Sequence, residues 1–117
     1  MMQEARWTAE VAIMNKCLPN FVAFKTENGS VGFIGQVRGS RKGREYTVIV
    51  KVPVRSYPEM EPAVYIQPRV GLAHWQTDEV NRNPDGRLSF ARPWVPASST
   101  FAHCVLVAIQ FLEEFDQ

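Results

Sequence analysis

One hydroxyl-bearing residue has neighbours that could hold it in place for chemistry. Ser89 lies between Leu88 and Phe90, in a segment from Asn83 to Pro96 that reads NPDGRLSFARPWVP. The segment begins with turn-forming residues and fits no regular element well. Ordering such a segment costs about 1–2 kcal/mol per residue in backbone entropy, so a fixed irregular loop is more often a working surface than a connector. Ser89 is therefore the first candidate site residue.

A serine hydrolase is disfavoured, because a serine nucleophile needs a histidine base within hydrogen-bond reach and a third group that orients it. The two histidines are His74 and His103, no Gly-x-Ser-x-Gly motif is present, and His103 falls in an apolar stretch. A zinc site is disfavoured too, because the histidines and the two cysteines, Cys17 and Cys104, show no recognisable ligand spacing. Cys104 fits the apolar pattern of the last predicted helix and is expected to be packed.

Length and composition favour one globular domain over residues 1–117. The chain has 45% hydrophobic and 21% charged residues and a formal net charge of +1, which gives no global attraction to nucleic acid or to an anionic membrane. The cysteines form no CxxC motif, which favours a reducing setting, and no apolar run is long enough to cross a bilayer. We therefore expect a cytoplasmic protein that binds neither nucleic acid nor membrane.

A cluster of cations marks one predicted turn. Arg38, Arg41, Lys42 and Arg44 place four cations within seven residues. No aromatic side chain is interleaved except Tyr46, which the strand alternation turns inward, so nucleic-acid binding is disfavoured here. The cluster is either a solvated hairpin tip or a docking point for an acidic protein partner.

Hydrophobic periodicity predicts the elements that would position Ser89. In chain order they are a helix over Met2–Cys17, strands over Phe21–Lys25, Val31–Arg38, Glu45–Val52 and Ala63–Gln67, and a helix over Phe101–Glu114. Short connections predict an antiparallel meander, and the alternation in the third strand requires one covered and one solvent-facing side. The order predicts an α+β fold with an N-terminal helix, a four-stranded antiparallel meander, an irregular active-site loop and a C-terminal helix packed on the sheet.

Two local features of these elements carry further expectations. The first helix has a predicted apolar stripe formed by Ala5, Ala9, Ala12, Ile13 and Cys17. Trp7 lies off that stripe and is either packed at the edge of the sheet or exposed as an anchor for a partner. In the second strand, Gly32 and Gly35 indicate a bulge or a close contact.

With these elements in place, the chain resembles the ubiquitin-conjugating enzyme (UBC) family, in a compact form similar to bacterial members. The matching residues, which follow the family's order, are Tyr57, Pro58 and Pro62 before the fourth strand, His74 after it, Gly86 to Ser89, and Trp94 with Pro96 before the last helix. The resemblance covers nearly the whole chain. It implies a UBC-like fold and places Ser89 where the family has its catalytic cysteine, with Asp85, Gly86 and Leu88 in the same loop.

The serine is the departure that decides the implied activity. A cysteine accepts the activated carboxyl end of a ubiquitin-like protein because its thiolate is accessible near neutral pH and the thioester stays reactive. Serine would hold an oxygen ester, which is a much poorer donor, so turnover should fail. Three interpretations of Ser89 stay open: a cysteine replaced to trap or silence an enzyme, a naturally inactive scaffold, and serine as a true acceptor.

His74 and Gln76 are implied as supporting groups. The family often has His-Pro-Asn where this chain has His74-Trp75-Gln76, with the asparagine amide near the oxyanion of the transfer step. Gln76 has an extra methylene, and oxyanion donors work only when they are placed to within about half an ångström. His74 is either structural or a proton-transfer group. Asp85 either forms a turn or acts on an incoming amine.

The resemblance implies a ubiquitin-like protein and its activating enzyme as partners, and the activating enzyme alone would use ATP. A target protein or ligase is a further implied partner, and no metal or organic cofactor is implied. The two extra C-terminal helices of larger family members are expected to be missing. The alternative from a different class is a non-catalytic binding module, which would hold a ubiquitin-like protein or a conjugating partner on the open sheet face or in the site groove.

Overall fold

Two helices cover one face of an antiparallel sheet. The structure is a computed structural model that describes residues 4–38, 45–67, 80–82, 88–90 and 94–115. The elements in chain order are α1 (Glu4–Cys17), β1 (Val22–Lys25), β2 (Ser30–Arg38), β3 (Glu45–Pro53), β4 (Ala63–Gln67), β5 (Val80–Arg82), β6 (Leu88–Phe90) and α2 (Phe101–Phe115). This order confirms the predicted α+β class, with an N-terminal helix, a strand meander and a C-terminal helix.

The sheet has the strand order β1-β2-β3-β4-β6-β5. The predicted four-stranded meander is confirmed as β1 to β4, in which each strand pairs antiparallel with the next. Two three-residue strands extend it, so the segment predicted to be irregular from Asn83 to Pro96 contains strand β6. Such strands escape prediction because three residues are too few to establish a period.

Strict alternation in β3 produces the covered face of the sheet. Successive side chains of a strand point to opposite faces, and the even-numbered residues of β3 are all buried whereas the odd-numbered ones are half-buried or exposed. The strand residues that form this buried layer are Val31, Phe33, Tyr46, Val48, Val50, Val52, Val64 and Ile66. The predicted division of the meander into two unlike faces is confirmed.

Both glycines of β2 lie at close contacts, as predicted. A Cβ atom on Gly32 would lie 2.0 Å from the carbonyl oxygen of Val50, and one on Gly35 would lie 2.7 Å from the ring of Phe21. The backbone of a neighbouring strand cannot move aside without breaking its pairing, whereas a ring can rotate. Gly32 is therefore the stricter requirement, because it lets β3 approach β2.

Helix α2 supplies a broad apolar face to the core. Its buried residues are Phe101, Ala102, Cys104, Val105, Ala108, Phe111 and Leu112, which confirms the predicted apolar face. Thr100 caps its first turn, since the Thr100 hydroxyl accepts a hydrogen bond from the amide of His103 at 3.1 Å. Neither helix in the described ranges combines the length and the apolar character that a membrane span requires.

The predicted apolar stripe on α1 is wrong. Its three alanines and Cys17 are exposed and Ile13 is half-buried, while the two buried residues of the helix are Glu10 and Met14. The inward face therefore contains a charged side chain, and periodicity of apolar residues cannot find such a face. Only contacts with distant parts of the chain explain it.

Trp7 is packed on the sheet, as one of its two interpretations predicted. Its ring centre lies 5.3 Å from that of Phe33 in β2 and 5.9 Å from that of Phe101 in α2. Phe33 and Phe101 also touch each other, at 5.3 Å and a steep angle of 66°. This aromatic group joins α1, α2 and the covered face in one core.

Candidate functional site

Position 89 lies at the centre of strand β6. Ser89 is paired with Asn81 of β5, and on the other side Leu88 is paired with Val64 of β4. The candidate acceptor is thus a strand residue between two neighbouring strands. Its backbone therefore belongs to the sheet and not to an irregular loop.

The other predicted site residues fall into two groups. His74, Gln76, Asp85 and Gly86 lie outside the described residues, as do the cations at positions 41, 42 and 44. The described group consists of Tyr57, Pro58, Pro62, Trp94 and Pro96. Pro62 is buried just before β4, and the other four come together beside the N-terminus of α2.

A direct hydrogen bond joins the two described motifs. The Tyr57–Pro58 peptide is cis, and the indole Nε1 of Trp94 donates to the carbonyl oxygen of Pro58 at 2.6 Å. The Tyr57 ring centre lies 6.0 Å from that of Trp94 and 4.8 Å from that of Phe101. The loop before β4 therefore holds Trp94, which lies shortly before α2.

Two charged residues of α1, Arg6 and Glu10, complete this arrangement. Glu10 is only 1% exposed, and its carboxylate accepts hydrogen bonds from Arg6 Nε at 3.1 Å, from the amide of Phe101 at 3.1 Å and from the Tyr57 hydroxyl. Burial of a carboxylate is tolerable when it is paired and hydrogen-bonded in this way. Sequence reasoning missed both residues. Their one signal is a pair of opposite charges four residues apart, which is typical of solvent-exposed helix surfaces.

The Arg6 guanidinium connects α1 to the turn before α2. It donates to the carbonyl oxygens of Pro96 at 2.8 Å and Ser99 at 2.6 Å, and to the Tyr57 hydroxyl at 3.0 Å. Arginine suits this position because its donors are arranged in a rigid planar fork. We call the side chains of Arg6, Glu10 and Tyr57, with the backbone groups of Pro96, Ser99 and Phe101 that they bind, the polar junction.

Protonation in the polar junction follows from its hydrogen bonds. Burial by itself would lower the pKa of the Arg6 guanidinium, but hydrogen bonds and charge interactions with Tyr57 and Glu10 together outweigh burial and raise that pKa. Burial raises the pKa of the Tyr57 phenol, and its hydrogen bond to the Glu10 carboxylate raises it further. Arg6 is thus charged and Tyr57 neutral at physiological pH. The Glu10 carboxylate also faces the N-terminus of α2, where the helix dipole favours negative charge.

The two cysteines have different environments. Cys104 is buried in α2, and burial, with contributions from the carboxylates of Glu61 and Glu10, raises the pKa of its thiol to about 12. The thiol is therefore protonated near neutral pH and is a poor nucleophile. This confirms the expectation that Cys104 is a packed residue. Cys17 is exposed at the end of α1.

The described His103 is exposed. Within the described ranges, no three His, Cys, Asp or Glu side chains lie where they could share a metal ion.

The uncovered face of the meander carries a row of apolar side chains. Val22 is paired with Ile34, Ile34 with Ile49, and Ile49 with Tyr65, so the four residues lie side by side across four strands. Val22 is 63% and Ile34 38% exposed, and the other two are half-buried. We call these four residues the outer-face row. It gives this face more apolar surface than a fully solvated face needs.

A shallow cleft of about 270 Å³ lies at one end of the outer-face row, where it is lined by Lys51, Met60 and Tyr65 among others. The ammonium group of Lys51 lies 5.2 Å from the centre of the Tyr65 ring, so this cation covers one side of the ring. The outer-face row and this cleft therefore make the outer face a candidate binding surface of the described residues. The chain matches no protein-family model, no curated protein and no solved structure.

Proposed function

We propose that this chain is a ubiquitin-conjugating-enzyme-like protein, which accepts or positions the carboxyl terminus of a ubiquitin-like protein at position 89. The observation that carries the proposal is the hydrogen bond between Trp94 Nε1 and the Pro58 carbonyl. It joins two of the motifs on which the resemblance rests, although they are 36 residues apart. A four-stranded meander between an N-terminal and a C-terminal helix supports the same proposal.

The proposed step is an acyl transfer. The side chain at position 89 attacks the activated carboxyl carbon of the ubiquitin-like protein, a new bond forms to its oxygen or sulfur, and the bond to the activating group breaks. The activating group leaves with the electron pair of the broken bond, and the proton that the side chain loses ends on that group. With serine the product is an oxygen ester, which holds the modifier; with cysteine it is a thioester, which passes the modifier on.

Intact-mass measurement tests this proposal. The chain and its Ser89→Cys variant are each incubated with the activating enzyme, ATP and the ubiquitin-like protein. Both carry Cys17→Ser, because the exposed Cys17 thiol could form a background adduct. We expect an adduct that thiols release in the Ser89→Cys form. A base-labile, thiol-resistant adduct on Ser89 would identify serine as an acceptor. No adduct in either folded form would reject position 89 as an acyl acceptor.

The outer-face row favours a second candidate function, that of a non-catalytic binding module. Exposed apolar residues aligned across several strands are typical of protein-binding surfaces. Ile34→Glu places a charge within the row, whereas Gln36→Glu places the same charge on the same face of β2 but outside the row. If this face binds the ubiquitin-like protein, Ile34→Glu should weaken binding about tenfold or more in calorimetric titration, and Gln36→Glu far less. Equal effects would reject the outer-face row as the binding surface.

A further inference from the structure

We propose that Arg6 is a positioning residue, which acts from helix α1 to fix the turn before α2 and thereby the placement of position 89. The part that concerns position 89 rests on the proposed function. The part that concerns the turn before α2 stands on geometry alone.

The turn before α2 is closed by hydrogen bonds between its own residues. The amides of Ser98 and Ser99 both donate to the carbonyl oxygen of Val95, at 3.0 and 2.7 Å, and the amide of Val95 donates to the Ser99 hydroxyl at 3.0 Å. These bonds shape the turn but do not orient it against the rest of the protein. Arg6 contributes to that orientation beside the Trp94–Pro58 hydrogen bond, because it donates to the carbonyl oxygens of Pro96 and Ser99.

The Arg6 side chain is itself held rigidly. Its Nε donates to Glu10, whose carboxylate is held in turn by the Phe101 amide and the Tyr57 hydroxyl. A planar guanidinium bound through Nε and through both terminal nitrogens has no freedom to rotate. A lysine ammonium is a single point charge and cannot reproduce this geometry.

The placement of this turn limits where position 89 can lie. Strand β6 meets β4 through one described residue pair, Val64 with Leu88, so β4 alone leaves the orientation of the β5–β6 ribbon open. Phe90 is four residues before Trp94, and a chain of that length spans at most about 14 Å. A fixed Trp94 therefore restricts where the end of β6 can lie.

Hydrogen exchange followed by NMR tests the geometric part. The probes are the indole N–H of Trp94, assigned with Trp94→Phe, and the backbone amide of Val50 in β3. The variants are Arg6→Met, which removes every donor, and Arg6→Lys, which keeps the charge. Lys16→Met, which removes an exposed cation from the same helix, is the matched control.

Loss of hydrogen bonds from a charged donor should increase the equilibrium constant for local opening by about tenfold or more. We expect indole exchange to accelerate by that factor relative to Val50 in both Arg6 variants, and to stay unchanged in the control. An equal acceleration at both probes would overturn the proposal, because it would make Arg6 a general stabiliser. Full rescue by Arg6→Lys would also overturn it, because charge alone would then suffice.

Adduct formation in the Ser89→Cys form tests the functional part. At a temperature where circular dichroism shows every variant fully folded, we expect Arg6→Met and Arg6→Lys to slow the adduct at least about tenfold, and Lys16→Met to leave its rate unchanged. Unchanged rates in the Arg6 variants would overturn the positioning of position 89. If the parent Ser89→Cys form makes no adduct, the proposed function fails, and the indole exchange alone decides whether Arg6 fixes the turn.

Discussion

The two helices lie on the same face of the sheet, but polar contacts make up a much larger share of the attachment of α1 than of α2. Among the residues of helix α2 whose burial the structure describes, seven are buried and none of these is charged, whereas the two fully buried residues of α1 are Glu10 and Met14. Apolar burial is non-directional and scales with area, while hydrogen bonds require a set distance and angle. The difference indicates that α2 provides most of the stability, and that α1 determines how the loops around the candidate site are oriented.

Both kinds of attachment meet at the N-terminus of α2, where a neighbouring residue and a residue of α1 each accept a hydrogen bond from a backbone amide. Thr100, just before α2, accepts from the His103 amide, and Glu10 of α1 accepts from the Phe101 amide. Substitutions at these positions and along the two helices therefore separate what hydrogen bonds contribute to stability from what apolar burial contributes.

Removal of the Glu10 carboxylate should have the largest effect. In Glu10→Ala, the partly buried Arg6 loses its counter-charge and the Phe101 amide loses its acceptor, so we expect unfolding free energy to fall by about 3–5 kcal/mol. Urea denaturation measures this. Glu4→Ala, at an exposed position of the same helix, should stay within about 0.5 kcal/mol of the parent. A loss below about 1 kcal/mol in Glu10→Ala would mean that the polar junction does not hold α1.

Truncation of Leu112 tests the apolar attachment of α2. Leu112 is 1% exposed, so Leu112→Ala should cost about 2–5 kcal/mol through lost burial and a cavity. Leu106 lies on the same helix and is 51% exposed; Leu106→Ala should cost less than about 1 kcal/mol. Equal losses in urea denaturation would contradict the assignment of the buried face.

The pH dependence of stability probes the core beneath α2. Burial raises the pKa of Cys104 from 9.0 to about 12, so between these values the unfolded chain releases a thiol proton that the folded chain keeps. Stability is therefore lost as pH rises, by about 1.4 kcal/mol per pH unit.

The test compares unfolding free energies at pH 8.5 and 10.5, with and without Cys104→Ala, in a Cys17→Ser background. The parent should lose about 2 kcal/mol more than the variant between these pH values. Because Tyr57 titrates in both proteins, its contribution cancels. The same pH dependence in both would show that the Cys104 thiol reaches solvent.

Loss of the helix's own cap should have the smallest effect. Thr100→Ala removes the acceptor of the His103 amide and should cost about 1 kcal/mol, while Thr100→Ser should stay close to the parent. Thermal denaturation of the three proteins is sufficient to rank them. If Thr100→Ala were as damaging as Glu10→Ala, the contribution of α1 to the start of α2 would be minor.

The sequence predicts the elements whose buried face shows as a pattern of apolar residues within the element itself. β3 alternates along its whole length, and α2 repeats apolar residues at helical spacing, so both were predicted nearly to their ends. The inward face of α1 could not be predicted, because Glu10 is buried by groups at positions 57 and 101. Strand β6 is too short for a pattern, although the motifs around it singled out position 89.

The hydrogen bond between Glu10 and the Phe101 amide affects how the protein unfolds. Glu10 lies on α1 and Phe101 on α2, so a hydrogen bond between them couples the detachment of one helix to the opening of the other. Detachment of α1, by heat or by a protease, would leave the Phe101 amide without this acceptor and admit water to the aromatic core. The two helices should therefore open together, as one cooperative unit.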